Sequence, residues 1–240
     1  MQIKVLSWNI WCGTHQDKVK EFLKNSDADI IALQEVAQDK RGNISKIIAD
    51  ELGYNFVYTT DIDLPLKYLP GYSSDNEGTV KMGNAILSKY EIISSKEHVL
   101  VKGKKRTVIE ANIKVGNTIL NIFSIHLRHT HQQQLELQDL QAESLLKLLP
   151  ATHTIVMGDF NSLPESNVIK NISKSLINTE VGSSTPTWSV YKEGCTECLI
   201  GEVIHKLDYI FTTRDIKSNS FKVYNSDASD HLPVSVVLEL

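Results

Sequence analysis

A change of pattern along the 240 residues constrains the fold most strongly. Strand-like apolar stretches alternate with segments of helical spacing near both ends of the chain, whereas residues 83–126 contain strand-like segments only. Turns at Gly103-Lys104 and Gly116-Asn117 separate the central strands and predict antiparallel hairpins. Strand–helix alternation around a central run of hairpins predicts an α/β protein in which helices cover mixed sheets.

The predicted elements follow from hydrophobic periodicity. Helices are expected at 16–25, 42–52, 132–149 and 165–177. Strands are expected at 2–9, 29–36, 54–59, 83–88, 92–101, 106–115, 118–126, 152–158, 207–212, 218–224 and 232–238. The run DIIALQEV at 29–36 suits a strand that is buried on both faces. The helix at 132–149 has an apolar stripe formed by Leu137, Leu140, Leu145 and Leu148. Residues 61–82 and 182–205 are predicted as long loops.

Composition excludes several classes of protein. A hydrophobic fraction of 41% and a charged fraction of 22% exclude a disordered chain. Three cysteines are too few for a disulfide scaffold, and Cys195 and Cys198 are interpreted as reduced thiols in a loop. Because no apolar run reaches 18 residues, a multispan membrane protein is excluded. A net charge of −4 argues against binding nucleic acid through bulk positive charge.

The ends of the chain bear on location and domain count. The first residues alternate like a strand and show no basic segment, apolar core or cleavage site of a signal peptide, so we expect a cytoplasmic protein. Candidate functional residues extend from Asn9 to His231, so residues 1–240 are expected to form a single catalytic domain. The sequence does not determine the oligomeric state, and we favour a monomer.

Short polar motifs stand at the ends of the predicted strands. Each alone is compatible with a turn residue or an ordinary histidine, but as a set they favour an active site. The set is Asn9, Glu35, His126, Asp159, Asn161, Asp208, Asp230 and His231. A charged residue such as Glu35 at the end of a buried strand is costly unless a partner compensates it.

This inventory suits the hydrolysis of phosphate esters. The oxygen ligands of Glu35 and Asp230 favour a hard cation such as Mg²⁺ or Mn²⁺, which neutralises charge on phosphoryl oxygens. A histidine paired with an aspartate supplies an oriented base near neutral pH. Asparagine donates hydrogen bonds to phosphate without adding negative charge.

Together the motifs resemble the endonuclease/exonuclease/phosphatase family. They are WN at 8–9, LQE at 33–35, GNAILS at 83–88, SIHL at 124–127, GDFN at 158–161, LDYIF at 207–211 and SDH at 229–231, in the family's order. The resemblance implies a four-layer α/β/β/α sandwich of two mixed, mostly antiparallel sheets flanked by helices. It places the active site at one edge of the sheets.

The resemblance also implies roles for the polar residues. Glu35 would be the principal metal ligand, with Asn9 beside it and Asp230 completing the site. Asp159 and Asn161 would orient the nucleophilic water and bind the scissile phosphate.

The two histidines of the motifs have separate implied roles. His231, held by Asp208, would act as a base or as a phosphate stabiliser, and whether it or Asp159 takes the water's proton stays open. His126 would contact the phosphate and help the leaving group to depart.

Three further residues are candidates for contact with the substrate. Asn84 lies in the GNAILS motif, and Trp188 follows Thr187 where relatives often have an active-site aromatic residue. Arg128 opens the segment Arg128-His129-Thr130-His131, which is either a phosphate-binding rim or a solvated loop.

Two local features separate this chain from parts of the family. A histidine at position 126, where the apurinic-endonuclease branch typically has tyrosine, argues against base-excision repair. Many relatives with this histidine have an acid just before the GNAILS-type strand, whereas here Lys81 and Met82 precede it and Glu77 is the closest upstream acid. The basic turn formed by Lys102, Lys104, Lys105 and Arg106 is interpreted as solvated.

These observations predict a Mg²⁺- or Mn²⁺-dependent hydrolase of phosphate esters. We favour a phosphodiesterase of the nuclease or DNA-end-processing type, with nucleic acid among the candidate substrates. The alternatives are an enzyme acting on a small phosphorylated metabolite or a lipid headgroup, of the inositol phosphate or sphingomyelin type, and a catalytically silent binding module on the same fold. A dinucleotide-binding fold is excluded because no G-x-G-x-x-G follows the first strand.

Overall fold

The computed structural model describes residues 1–69, 77–194 and 201–240. The predicted thiol loop at Cys195 and Cys198 lies outside these ranges. Across the described ranges, no helix is both long enough and apolar enough to span a membrane.

Strands and four α-helices alternate along the described chain. The strands are β1 Gln2–Asn9, β2 Ile30–Asp39, β3 Gly42–Asn43, β4 Asn55–Pro65, β5 Thr79–Ser88, β6 Glu91–Val101, β7 Lys104–Val115, β8 Thr118–His126, β9 Thr154–Asp159, β10 Ile177–Asn178, β11 Asp208–Thr212, β12 Lys217–Val223 and β13 Val234–Glu239. The helices are α1 Gln16–Ser26, α2 Ile44–Leu52, α3 Glu136–Leu148 and α4 Asn167–Ser175.

The strands form two mixed sheets that pack face to face. The first sheet has the order β12-β13-β1-β2-β5-β4 with β3 paired to β2, and within it only β1 and β2 run parallel. The second has the order β10-β11-β9-β8-β7-β6, and within it only β8 and β9 run parallel. Helices α1 and α2 cover the first sheet, and α3 and α4 cover the second. The predicted α/β/β/α sandwich is confirmed.

Strand β2 shows why this sequence forms an inner layer. Ile31 and Leu33 pack toward α1 and α2, whereas Ile30 and Ala32 pack toward the second sheet. Full burial of an isoleucine or leucine side chain contributes about 1.5–3 kcal/mol. A strand with both faces covered therefore has no need of polar alternation, as the run DIIALQEV predicted.

The predicted loop at 61–82 is partly wrong. Strand β4 continues to Pro65 and β5 begins at Thr79, and the two remain paired as far as Pro65 opposite Thr79. Because β4 lies at the edge of its sheet, it tolerates polar and charged residues that look like loop composition.

The predicted start and buried face of the third helix also need correction. Helix α3 begins at Glu136 rather than near 132, and Leu140 of the predicted stripe is 42% exposed. Gln138 is buried instead, because its side-chain amide donates to the carbonyls of Arg128 at 2.7 Å and Asn161 at 2.8 Å. The helix therefore buries amides that fasten loops beside the site.

Close approach of β8 and β9 makes Gly158 sensitive to substitution. A Cβ at this position would lie 2.0 Å from the carbonyl oxygen of Ile125. We expect Gly158→Ala to lower the free energy of unfolding by about 3 kcal/mol, because the parallel pair must separate to admit a methyl group. Chemical denaturation measures this loss. The control is Gly103→Asn at an open turn with φ +74°, a conformation that asparagine tolerates, and an equal loss there would contradict the argument.

Candidate active site

The polar strand-end residues meet at one edge of the sandwich. Asn9 ends β1, His126 ends β8 and Asp159 ends β9. Because β1–β2 and β8–β9 are parallel pairs, their carboxyl ends emerge on the same side. Asp208, the first residue of the antiparallel strand β11, pairs directly with Asp159.

Asp159 occupies the centre of the site. Its Oδ1 accepts the backbone N–H of Asn161 at 2.8 Å, and its Oδ2 accepts the amides of Asn9 and Asn161, both at 3.2 Å. Burial raises the pKa of Asp159 to about 7, although the nearby His231 lowers it. A carboxylate with such a pKa is suited to take up a proton near neutral pH.

Asp208 and His231 form a buried pair. The Nδ1 atom of His231 lies 2.9 Å from Oδ2 of Asp208, and the Thr187 hydroxyl donates to the same oxygen at 2.6 Å. The Nε2 atom of His231 lies 3.6 Å from Oδ2 of Asp159. Burial by itself lowers the pKa of His231, but the carboxylates of Asp208, Asp159 and Asp230 outweigh it and raise the pKa well above its ordinary value.

Glu35 reaches the site because β2 is bulged there. The register between β2 and β5 shifts between Leu33 and Val36, and Glu35 has a φ of 51°. Such bulges redirect a side chain and occur often beside active sites. The Glu35 side chain is 22% exposed, and burial and then Asp230 raise its pKa, while a hydrogen bond from Asn9 opposes the shift.

Asp230 lies beside Glu35 in the loop before β13. Its Oδ2 accepts the indole N–H of Trp188 at 3.1 Å, and its pKa is raised by burial. The Ser229 hydroxyl donates to the carbonyl of Asn9 at 2.7 Å and thereby ties this loop to β1. Asn9 and Asp230 thus both act on Glu35, Asn9 through a hydrogen bond and Asp230 through its charge.

His126 faces the same centre through Nε2. This atom lies 3.4 Å from Oδ2 of Asp159 and 3.9 Å from Oε1 of Glu35. On the other side of the ring, Nδ1 lies 3.1 Å from Nη1 of Arg106. Burial, and then the Arg106 charge, holds the pKa of His126 well below its ordinary value.

Two groups of residues can be considered as metal ligands. Ligand atoms of Asp159, Asp208 and His231 all lie within 4.8 Å of one another, but His231 already supplies positive charge there and its Nδ1 is bonded to Asp208. Glu35 and Asp230 form no ion pair with a lysine or arginine in the described ranges. Glu35 and Asp230 are therefore a candidate pair for holding a cation.

The three predicted substrate-contact residues differ in accessibility. Asn84 is buried, and its amide donates to the carbonyl of Thr107 at 2.9 Å. Trp188 is buried with its indole on Asp230, so it supports the site rather than forming an open wall. Arg128 is exposed at the rim.

The rim residue that contacts the site is His129. Its Nδ1 lies 2.8 Å from Oδ1 of Asn161, and its ring stands edge-on to Trp188 with 6.0 Å between centroids. The sequence placed His129 in a candidate rim but could not distinguish it from Arg128 or His131.

Comparison with known proteins is consistent with this geometry. The family model described as Endonuclease/Exonuclease/phosphatase family matches residues 6–231. The chain belongs to the endonuclease/exonuclease/phosphatase family. No curated protein matches the sequence.

Solved structures share the family fold at low sequence identity. An endonuclease/exonuclease/phosphatase from Beutenbergia cavernae is 20% identical with a TM-score of 0.78, covering 100% of this chain and 72% of that one. A protein of the same description from Bacteroides vulgatus is 18% identical with a TM-score of 0.78, covering 100% and 99%. The catalytic domain of human nocturnin, with bound sulfate, is 21% identical with a TM-score of 0.72, covering 99% and 93%.

Two residues of this family member were missed by sequence reasoning. Arg106, interpreted as part of a solvated turn, is only 6% exposed, and its guanidinium bonds to Asp61 at 2.7 Å. Asp61 lies at a bulge in β4 between Thr60 and Ile62, opposite the start of the GNAILS motif. Glu77, the acid considered from the sequence, is exposed. The residues just before the GNAILS motif gave no sign of Asp61, because this acid comes from the neighbouring strand β4.

Proposed function

We propose that the protein is a Mg²⁺- or Mn²⁺-dependent phosphodiesterase. The observation that carries this proposal is the pair Glu35 and Asp230, two carboxylates with raised pKa values and no lysine or arginine ion pair in the described ranges. Family membership supports hydrolysis of a phosphate ester. A cation beside these carboxylates would offset their mutual repulsion and attract an anionic substrate.

The donor set fits a hard divalent cation. Glu35 and Asp230 would hold the ion, and the side-chain oxygen of Asn9 would lie beside it. Carboxylate and amide oxygens are the ligands that Mg²⁺ and Mn²⁺ prefer. The bound ion would supply neutralisation of charge on the phosphoryl oxygens.

A residue of the protein accounts for the removal of the water's proton. The oxygen of water bonds to phosphorus as the ester P–O bond breaks, the water's proton passes to Asp159, and solvent protonates the departing oxygen. Asp159 suits this role because its pKa is about 7. A positioned base such as Asp159 contributes about 10²- to 10⁴-fold in rate. His231, held protonated by the surrounding carboxylates, would donate a hydrogen bond to the phosphoryl group.

The substrate is proposed only as a class. We favour a nucleic acid or DNA end, and keep a small phosphorylated metabolite or lipid headgroup as the alternative. The nocturnin structure binds a sulfate anion, which is tetrahedral like phosphate. We further propose that the chain acts as a monomeric, cytoplasmic, single-domain enzyme.

Hydrolysis of bis(4-nitrophenyl) phosphate tests the proposal. We expect release of nitrophenolate with Mg²⁺ or Mn²⁺ and its loss on addition of EDTA, with recovery when the metal is restored. A panel of single-stranded DNA, duplex DNA, RNA, 5′-tyrosyl DNA, inositol phosphates and sphingomyelin then separates the substrate classes. Absence of activity on every phosphate ester would favour the silent binding module.

A further inference from the structure

Arg106 occupies an unusual place for a cation. It lies near the start of β7, buried at the edge where the two sheets meet. Its Nη1 donates to Oδ2 of Asp61 at 2.7 Å, and Oδ1 of Asp61 accepts the backbone N–H of Thr107 at 2.7 Å. Since β4 and β7 belong to different sheets, this ion pair joins the sheets beside the active site. Removal of one partner from such a buried pair leaves an uncompensated charge.

The same guanidinium nitrogen contacts His126. The distance from Nη1 of Arg106 to Nδ1 of His126 is 3.1 Å. A guanidinium has five N–H donors and no acceptor, so Nδ1 must accept the hydrogen bond. In a neutral imidazole the hydrogen then resides on Nε2, the atom that faces Asp159.

We propose that Arg106, anchored by Asp61, is a positioning residue that holds His126 as the neutral tautomer with its hydrogen on Nε2. In this form His126 donates a hydrogen bond to a phosphoryl oxygen. It carries no spare proton for the leaving group, because Nδ1 is occupied by an arginine donor. The catalytic part of this inference rests on the proposed phosphodiesterase function, whereas the assignment of the tautomer does not.

The arrangement has a clear physical advantage. A fixed donor aimed at the developing charge of the transition state needs no reorientation during the reaction. Arg106 contacts Nδ1 of the His126 ring, and its partner Asp61 lies on β4 and accepts a hydrogen bond from the backbone of β7. His126 is thus directed by a cation rather than by an acid.

Nitrogen NMR of histidine-labelled protein with Mg²⁺ tests the tautomer directly. We expect the His126 signals, identified by their loss in His126→Ala, to show an unprotonated Nδ1 and a protonated Nε2. A hydrogen on Nδ1, or protonation of both nitrogens at neutral pH, overturns the proposal. This measurement needs no turnover, so it stands even if no phosphate ester is cleaved.

Two variants test the positioning role. The double variant Asp61→Asn/Arg106→Leu removes both charges together, so neither is left buried alone. We expect it to lose the tautomer preference and about 10²-fold in kcat, with KM changed less than about threefold. Arg106→Lys retains a charged donor and should retain most of the activity. Melting temperatures verify that each variant folds, and an unchanged tautomer or kcat in the folded double variant contradicts the proposal.

The leaving group provides a third readout. Phosphodiesters that release 4-nitrophenolate or the more basic phenolate are compared in the wild type and in His126→Ala. If His126 donates to the phosphoryl oxygen, its removal should lower the rate of hydrolysis equally for both esters, by about 10²- to 10³-fold. A much larger loss for the phenyl ester would show that His126 protonates the leaving group and would overturn the proposal.

Discussion

Replacement of Asp208 with asparagine is expected to lower kcat by about 10³- to 10⁴-fold. Oδ2 of Asp208 accepts from His231 and from Thr187, and this negative charge holds a proton on the imidazole. Asparagine removes the charge, so the imidazole of His231 is no longer held protonated and loses the positive charge that it directs at the phosphoryl group. Steady-state kinetics on bis(4-nitrophenyl) phosphate at saturating metal measure the loss.

A matched exchange controls for the loss of one negative charge. Asp50 lies in the last turn of α2, is exposed and pairs with Lys46, so Asp50→Asn changes net charge equally away from the site. We expect its kcat to stay within about twofold of the wild type, since distant exposed charges are screened. An Asp208→Asn enzyme that is folded and retains more than a tenth of wild-type kcat would refute the role assigned to this pair.

Glu35→Gln is expected to abolish metal-dependent turnover, with a loss of about 10³-fold or more, because a bound cation contributes several kcal/mol to the transition state. The same exchange should make the metal-free protein more stable by about 1 kcal/mol. Burial and then repulsion from Asp230 raise the pKa of Glu35, and an uncharged glutamine is free of both penalties. Activity thus falls while the melting temperature of the metal-free protein rises.

Binding of Mn²⁺, followed by electron paramagnetic resonance, separates these effects. The wild type should bind the ion and melt at a higher temperature with it, whereas Glu35→Gln should show neither change. Glu21→Gln, at an exposed position of α1, is the control and should behave like the wild type. Normal Mn²⁺ binding by Glu35→Gln would remove Glu35 from the metal site.

The strand-end motifs named polar residues that the fold brings together at one edge of the sandwich. Asn9, Asp159 and Asp208 each stand next to an apolar strand, and the parallel pairs of strands bring such ends to one edge. Apolar runs such as β2 determine which segments are buried, so the four-layer architecture could also be anticipated. The family motifs supplied the roles, which stay predictions until the variants are measured.

Features that depend on irregular pairing could not be anticipated. Glu35 and Asp61 both lie at bulges, where one additional residue redirects the side chains of a strand. Arg106 resembled its lysine neighbours in a turn, and only the packing of the two sheets shows that it is buried against Asp61 and His126. Leu140 is exposed, whereas Gln138 is buried and its amide bonds to two loops beside the site.

The sequence by itself determined the layers, the family and the set of polar residues gathered at the sheet edge. These follow from local apolar patterns and from motifs, each of which is contained within a single strand or its end. The tertiary structure decided the partners. Asp208 holds His231, Asp61 holds Arg106, and Arg106 in turn holds His126. Partnership depends on distances of about 3 Å between residues far apart in the chain, because hydrogen bonds form only at that range and charge interactions are strongest there.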